Sequence, residues 1–241
     1  MENNFNKFFL INLKKFAISF LSFIFPSRLI ATFFGIGYLP DWQSHWTAFF
    51  SIPLVCIIVH FTVGFGSSVF AISYTIFLCS IALLLVGLLG IYVFQKTVFS
   101  ENRYEVTIHV AFGQLLMISI STPAILQITN KIFTFNTAVC ERFMHCADWF
   151  LYLATYLGAA LLPYFIFRIV DILKPWPSYF IERDYHNPLS NMSEGFFNAV
   201  YATCFAYALA FVLFDLNLVT VIEFYRDLLR YATTSSAIDL I

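Results

Sequence analysis

The sequence predicts an all-α integral membrane protein, a bundle of about five transmembrane helices preceded by an interfacial N-terminal segment. Three observations carry this. Hydrophobic residues make up 60% of the chain and charged residues 11%, whereas soluble domains carry ~25% charge. The mean hydropathy is +0.80. Five long apolar runs also follow one another, each near the ~20 residues that cross a bilayer core. A net charge of −1 offers no polyanion-binding signal, so nucleic acid is not an expected partner.

Residues 1–34 read as the interfacial segment. Up to about Leu21, Phe, Leu and Ile alternate with Asn, Lys and Ser, and Lys7, Lys14 and Lys15 make the stretch basic and amphipathic. The same lysines interrupt the apolar run, and no A-x-A-like site follows, so no cleavable signal peptide is expected. Residues 16–35 are broken by Pro26-Ser27-Arg28, which favours an interfacial or re-entrant pair over a span. A polar island runs from Gly35 to Trp46. The membrane domain, residues 35–222, holds the runs Thr47–Phe65, Phe70–Phe94, Ile108–Ile128, Trp149–Phe167 and Phe196–Ile222, the third rich in Ser and Thr. Residues 223–241 read as a surface tail. Cys56, Cys79 and Cys204 sit in apolar runs as inert thiols, and no CxxC spacing occurs among them, Cys140 and Cys146.

With those runs as spans, the loops alternate between two faces. One face collects Arg28, Lys96, Arg103, Arg168, Lys174 and Arg183, the other Lys131, Arg142, Arg226 and Arg230. Positive-inside bias puts the first face in the cytoplasm. The stretches with chemical promise fall on that same face.

Foremost among these is FRIVDILKPWP, Phe167–Pro177. Arg168, Asp171 and Lys174 recur at every third position, which on a helix makes one polar stripe. Pro175 and Pro177 then stop the helix. Ionisable groups are costly at a membrane and mark functional sites, although snorkelling anchors at a helix end give the same composition. Glu101, Glu105 and His109 are spaced i, i+4, i+8, and a helix continuing upstream of the third span would line them up for a divalent cation. Glu182, Arg183, Asp184 and His186 read as a solvated loop. Glu194 stands at the start of the fifth span, where an acid complements the helix dipole and could also reach Asp171. His45, between Trp42 and Trp46, has no evident structural duty and is a candidate headgroup contact. No G-x-S-x-G, Walker A, HExxH or Rossmann glycine pattern occurs, and no nucleophilic Ser, Cys or Thr stands out, leaving water as the default nucleophile. No internal repeat suggests a transporter.

FRIVDILKPWP resembles the FR-x-x-D-x-x-KP-x-P signature of bacterial phosphatidylglycerophosphatase A, matching at Phe167, Arg168, Asp171, Lys174, Pro175 and Pro177. Three weaker matches follow the family's order. Gly35–Leu54 is similar to a GSGLSPIAPGTFGSLVALPL-like opening, keeping Gly35, Gly37, Pro40, Pro53 and Leu54. Glu105–Gln114 resembles EIVIDEVVGQ, with His109 and Val110 in place of an Asp-Glu pair. Met192–Ala202 resembles MLDDVLAGLYA, with Glu194 and Gly195 in place of two aspartates. The resemblance implies a small helical enzyme that removes phosphate from phosphatidylglycerophosphate to give phosphatidylglycerol, at the cytoplasmic face of a bacterial inner membrane, with a divalent cation, Mg²⁺ above all. It implies catalytic roles for Arg168, Asp171 and Lys174, and headgroup binding by Arg168 and Lys174, with His45 added from its own position. It implies metal ligation by Asp171, Glu194, Glu105 and His109. The partner is then an anionic phospholipid headgroup, and homo-oligomerisation stays open. Because Mg²⁺ prefers carboxylates and two family acids have no ligand here, the alternative is a degenerate paralogue that binds anionic headgroups or a protein partner.

Overall fold

A computed structural model describes residues 26–39, 42–64, 69–97, 106–139, 148–184, 187–214 and 221–230. Of the expected interfacial segment, residues 1–34, the part before Pro26, and of the expected tail, residues 223–241, the part after residue 230, lie outside these residues, as do Glu101, Arg103, Glu105, Cys140, Arg142, Cys146 and His186. Among the described residues the regular structure is all helical: α1 Pro26–Ala31, a 3₁₀ turn Ile36–Tyr38, α2 Gln43–Gly64, α3 Val69–Thr97, α4 Ile108–Val139, α5 Asp148–Leu173, α6 Ser178–Asp184 and α7 Pro188–Phe214, followed by α8, residues 221–230. This is the expected all-α membrane class.

Four of these helices are long and apolar enough to cross a membrane: Gln43–Thr62, Val69–Lys96, Ile108–Lys131 and Pro188–Val212. The fifth expected span forms α5, whose 26 residues also exceed the ~20 needed. α3 leaves Leu78, Leu85, Leu89 and Val93 exposed, the surface an apolar solvent covers. By contrast, 72% of the most apolar window of α4 is buried, against 22–39% in the other three. That explains why the Ser/Thr-rich run belongs there: its hydroxyls are shielded from lipid and bond their own helix. Ser119 donates to the Leu116 carbonyl at 2.8 Å, Ser121 to Met117 at 2.6 Å and Thr122 to Ile118 at 2.9 Å.

The helices depart from the expected runs at three ends. α4 continues to Val139, through the start of what reads as a loop from Thr129. α7 begins at Pro188, eight residues before the apolar run at Phe196. Its start is set by Asn187, whose side-chain oxygen accepts the Ser190 N–H at 2.7 Å, with proline at the first helical position. Glu182, Arg183 and Asp184, expected in a loop, end helix α6, where the Phe180 and Ile181 N–H groups close onto the Pro177 carbonyl at 3.0 and 3.1 Å.

The chain divides into two compact units. One is made from described residues of Met1–Ser51, Ser80–Gly113 and Lys174–Asn198, the other from Ile52–Cys79, Gln114–Leu173 and Ala199–Ile241. In the first, α1 sits tightly on α3 at Gly90, where a Cβ would meet Ile30 Cγ2 at 2.4 Å. In the second, Pro123 lies within α4. Proline has no N–H, so the carbonyl four residues earlier, Ser119, loses its helical donor. Ser73 of α3 replaces it, donating to Ser119 O at 2.8 Å. One residue on, the Ile120 carbonyl accepts from the hydroxyls of Tyr207 (3.0 Å) and Tyr225, which stand 2.9 Å apart. Side chains thereby satisfy backbone that lipid cannot. Tyr207→Phe should lower stability by about 0.5–1.5 kcal/mol, measured as a lower unfolding midpoint in detergent.

Candidate functional site

α5 delivers the signature. Arg168 and Asp171 are three residues apart on this helix, both 5% exposed, and the Arg168 guanidinium donates to the Asp171 carboxylate. A buried charge persists only when paired and hydrogen-bonded, so each of these groups is neutralised by the other. The third member of the stripe is placed differently. The helix ends at Leu173, and Lys174 adopts φ +43°, the left-handed region that side chains with a Cβ occupy at a cost of about 1–2 kcal/mol. Pro175 prevents the helix from continuing. Lys174 therefore turns out of the stripe instead of extending it.

In the unit that contains Lys174, its ammonium lies 3.3 Å from Glu194 Oε1, and His109 Nε2 lies 4.0 Å from Glu194 Oε2. Glu194 is 3% exposed. It stands well inside α7, which begins at Pro188, so the helix-start dipole is not what stabilises it; the Lys174 ammonium is. The next residue explains how His109 comes so near. A Cβ on Gly195 would sit 2.3 Å from the His109 carbonyl oxygen, so only glycine lets α7 close on α4 at this level. His109 has a buried Nδ1 with no hydrogen-bond partner.

Two further elements hold this arrangement. Ser178, first residue of α6, donates from Oγ to Asn198 Oδ1 at 2.7 Å, and both residues are fully buried. Asn198 is one helical turn beyond Glu194, so the chain leaving the Pro-Trp-Pro exit is pinned to the helix that carries the carboxylate. Sequence reasoning missed this pair; its only trace is an asparagine inside an apolar run. The other element is the glycine loop. Phe33, Phe34 and Gly35 have φ of 47°, 60° and 84°, Thr32 Oγ1 accepts the Gly35 N–H at 3.1 Å, and the Thr107 N–H donates to the Ala31 carbonyl at 3.0 Å.

That last bond bears on the expected Glu101–Glu105–His109 line. Thr107 is outside any helix and α4 starts at Ile108, so a continuous helix does not run upstream through Val106 and Thr107. The Thr107 amide is spent on Ala31, and Glu101 and Glu105 lie outside the described residues. His45, on the first turn of α2, has its ring 5.1 Å from that of Trp42, tilted by 40°.

A Mg²⁺ centre wants several oxygen ligands in near-octahedral geometry. Among the described residues no three His, Cys, Asp or Glu side chains converge on a common point. Asp171 is matched to Arg168, Glu194 to Lys174, and Glu105 lies outside the described residues. The described donor set by itself does not fit the ion.

A family model described as phosphatidylglycerophosphatase A matches residues 29–210. No curated protein and no solved structure matches the chain.

The contact at Gly195 makes a direct prediction. Gly195→Ala should destabilise the protein by about 1–3 kcal/mol, the range for overpacking against backbone. The check is a thermal melt in detergent. An unchanged midpoint would mean that α7 does not approach His109 this closely.

Proposed function

Because the chain belongs to the phosphatidylglycerophosphatase A family, we propose that it is a membrane phosphatase that hydrolyses the phosphate monoester of phosphatidylglycerophosphate to phosphatidylglycerol and phosphate. One observation carries this reading: Lys174, the signature cation, is held in a strained backbone conformation with its ammonium on buried Glu194. Strained backbone that the surrounding structure enforces gathers at functional sites.

In this reading the headgroup phosphate meets Lys174, whose positive charge offsets the charge spread over the phosphoryl oxygens in the transition state. Water attacks phosphorus, a new O–P bond forms, and the P–O bond to glycerol breaks. Glu194, beside Lys174, accepts the water proton. His109, facing Glu194, supplies a proton to the leaving glycerol oxygen. Arg168 and Asp171 brace the end of α5 by neutralising one another. The positive-inside distribution supports a site that faces the cytoplasm, and the family supports a bacterial inner membrane as its setting.

A second reading is a protein that still binds anionic headgroups without turning them over. The matched state of Asp171 and Glu194, paired with Arg168 and Lys174, favours it. Phosphate release from phosphatidylglycerophosphate by the purified chain in detergent separates the two. Turnover is expected, and Lys174→Met should lower kcat by about 10²–10³-fold, as loss of one transition-state charge partner does. Headgroup binding by wild type with no phosphate release under any metal condition would establish the binder instead.

A further inference from the structure

Glu194 is an acid that both Lys174 and His109 approach. A carboxylate serves a divalent ion when its oxygens are open to the ion and its charge is not already neutralised. Here one oxygen lies 3.3 Å from an ammonium and the other 4.0 Å from an imidazole nitrogen, in a residue 3% exposed.

The backbone that carries the ammonium is constrained on both sides. Lys174 is bounded by the last residue of α5 on one side and by Pro175 on the other, and its φ is +43°. Four residues later Ser178 is bonded to Asn198, one turn past Glu194 on α7. The backbone carrying the cation and the helix carrying the carboxylate are thus tied together at a second, fully buried point. Preorganisation of this kind lets a charged partner act without a fresh ordering cost. Lys174 has 27% of its side chain exposed and Glu194 4%, so the cation is the more accessible member of the pair.

We infer that Lys174 is a built-in cation, occupying on Glu194 the place a divalent ion would take, so that Glu194 is not a metal ligand in this protein. The inference takes the site from the reading above, but its test reads metal binding rather than turnover, so either can fail alone. The probe is Mn²⁺, titrated into the purified full-length chain in detergent and followed by the loss of the free-ion electron paramagnetic resonance signal. Wild type and Glu194→Gln should titrate alike. Lys174→Met, which bares the carboxylate, should bind Mn²⁺ about tenfold more tightly, since removing one nearby positive charge is worth at least that factor. The gain should vanish in Lys174→Met/Glu194→Gln and be absent in Lys174→Arg. Weaker Mn²⁺ binding by Glu194→Gln than by wild type overturns the inference, as does a folded Lys174→Met with no gain. Should Lys174→Met not fold, the comparison of wild type with Glu194→Gln decides: equal titrations support the built-in cation, and a weakened one rejects it.

Discussion

A carboxylate that is almost wholly buried keeps its charge only if the protein brings a cation to it, and Glu194 is such a group. Much of the unit around it is explicable as the means of doing so. Lys174 leaves the helical stripe and takes a left-handed conformation, which swings its ammonium to Glu194. Gly195 has no side chain because the His109 carbonyl fills that space. Ser178 and Asn198 pair in a fully buried position to hold the post-proline chain against α7. Removing any one of these leaves the carboxylate less well matched, so a single buried charge constrains residues far apart in sequence.

The other unit is governed by the same scarcity of water, acting on backbone rather than on charge. Pro123 deprives a carbonyl of its donor in the most buried of the candidate spans. In an aqueous loop, water would fill the gap. Here Ser73 takes the place at Ser119, and two tyrosine hydroxyls converge on Ile120. Polar side chains that look out of place in apolar runs are therefore the partners of specific backbone oxygens, consistent with the rule that spanning segments satisfy their polar groups internally. The Arg168–Asp171 pair belongs to this logic too: two ionised groups at a helix end are carried inside because each neutralises the other.

The helical class, the approximate span boundaries and the signature on α5 were legible in the sequence. Run length and hydropathy fix where helices cross, and the prolines mark where α5 stops. The start of α7 was also legible in principle, since Asn187-Pro188 is a cap followed by a first-turn proline, but the polar residues between Pro188 and Phe196 mask a helix when only apolar length is read. The Ser178–Asn198 pair was not legible, because one serine and one asparagine twenty residues apart have no periodicity to link them. Nor was the break ahead of Ile108: an i, i+4, i+8 pattern states what a helix would align, not whether the backbone is helical there, and the Thr107 amide bonds to Ala31 instead.

By itself, then, the sequence determined a helical membrane protein with Arg168, Asp171 and Lys174 at the end of one helix, because solvent polarity and helical periodicity act locally and leave a repeating mark on the chain. Only the tertiary structure decided which charge each of them meets. Lys174 departs from the stripe to Glu194 while Arg168 keeps Asp171. The reason is that pairing inside a low-dielectric medium depends on which helices approach within a few ångströms. That approach is set by features such as the missing side chain at Gly195, which a linear pattern does not encode.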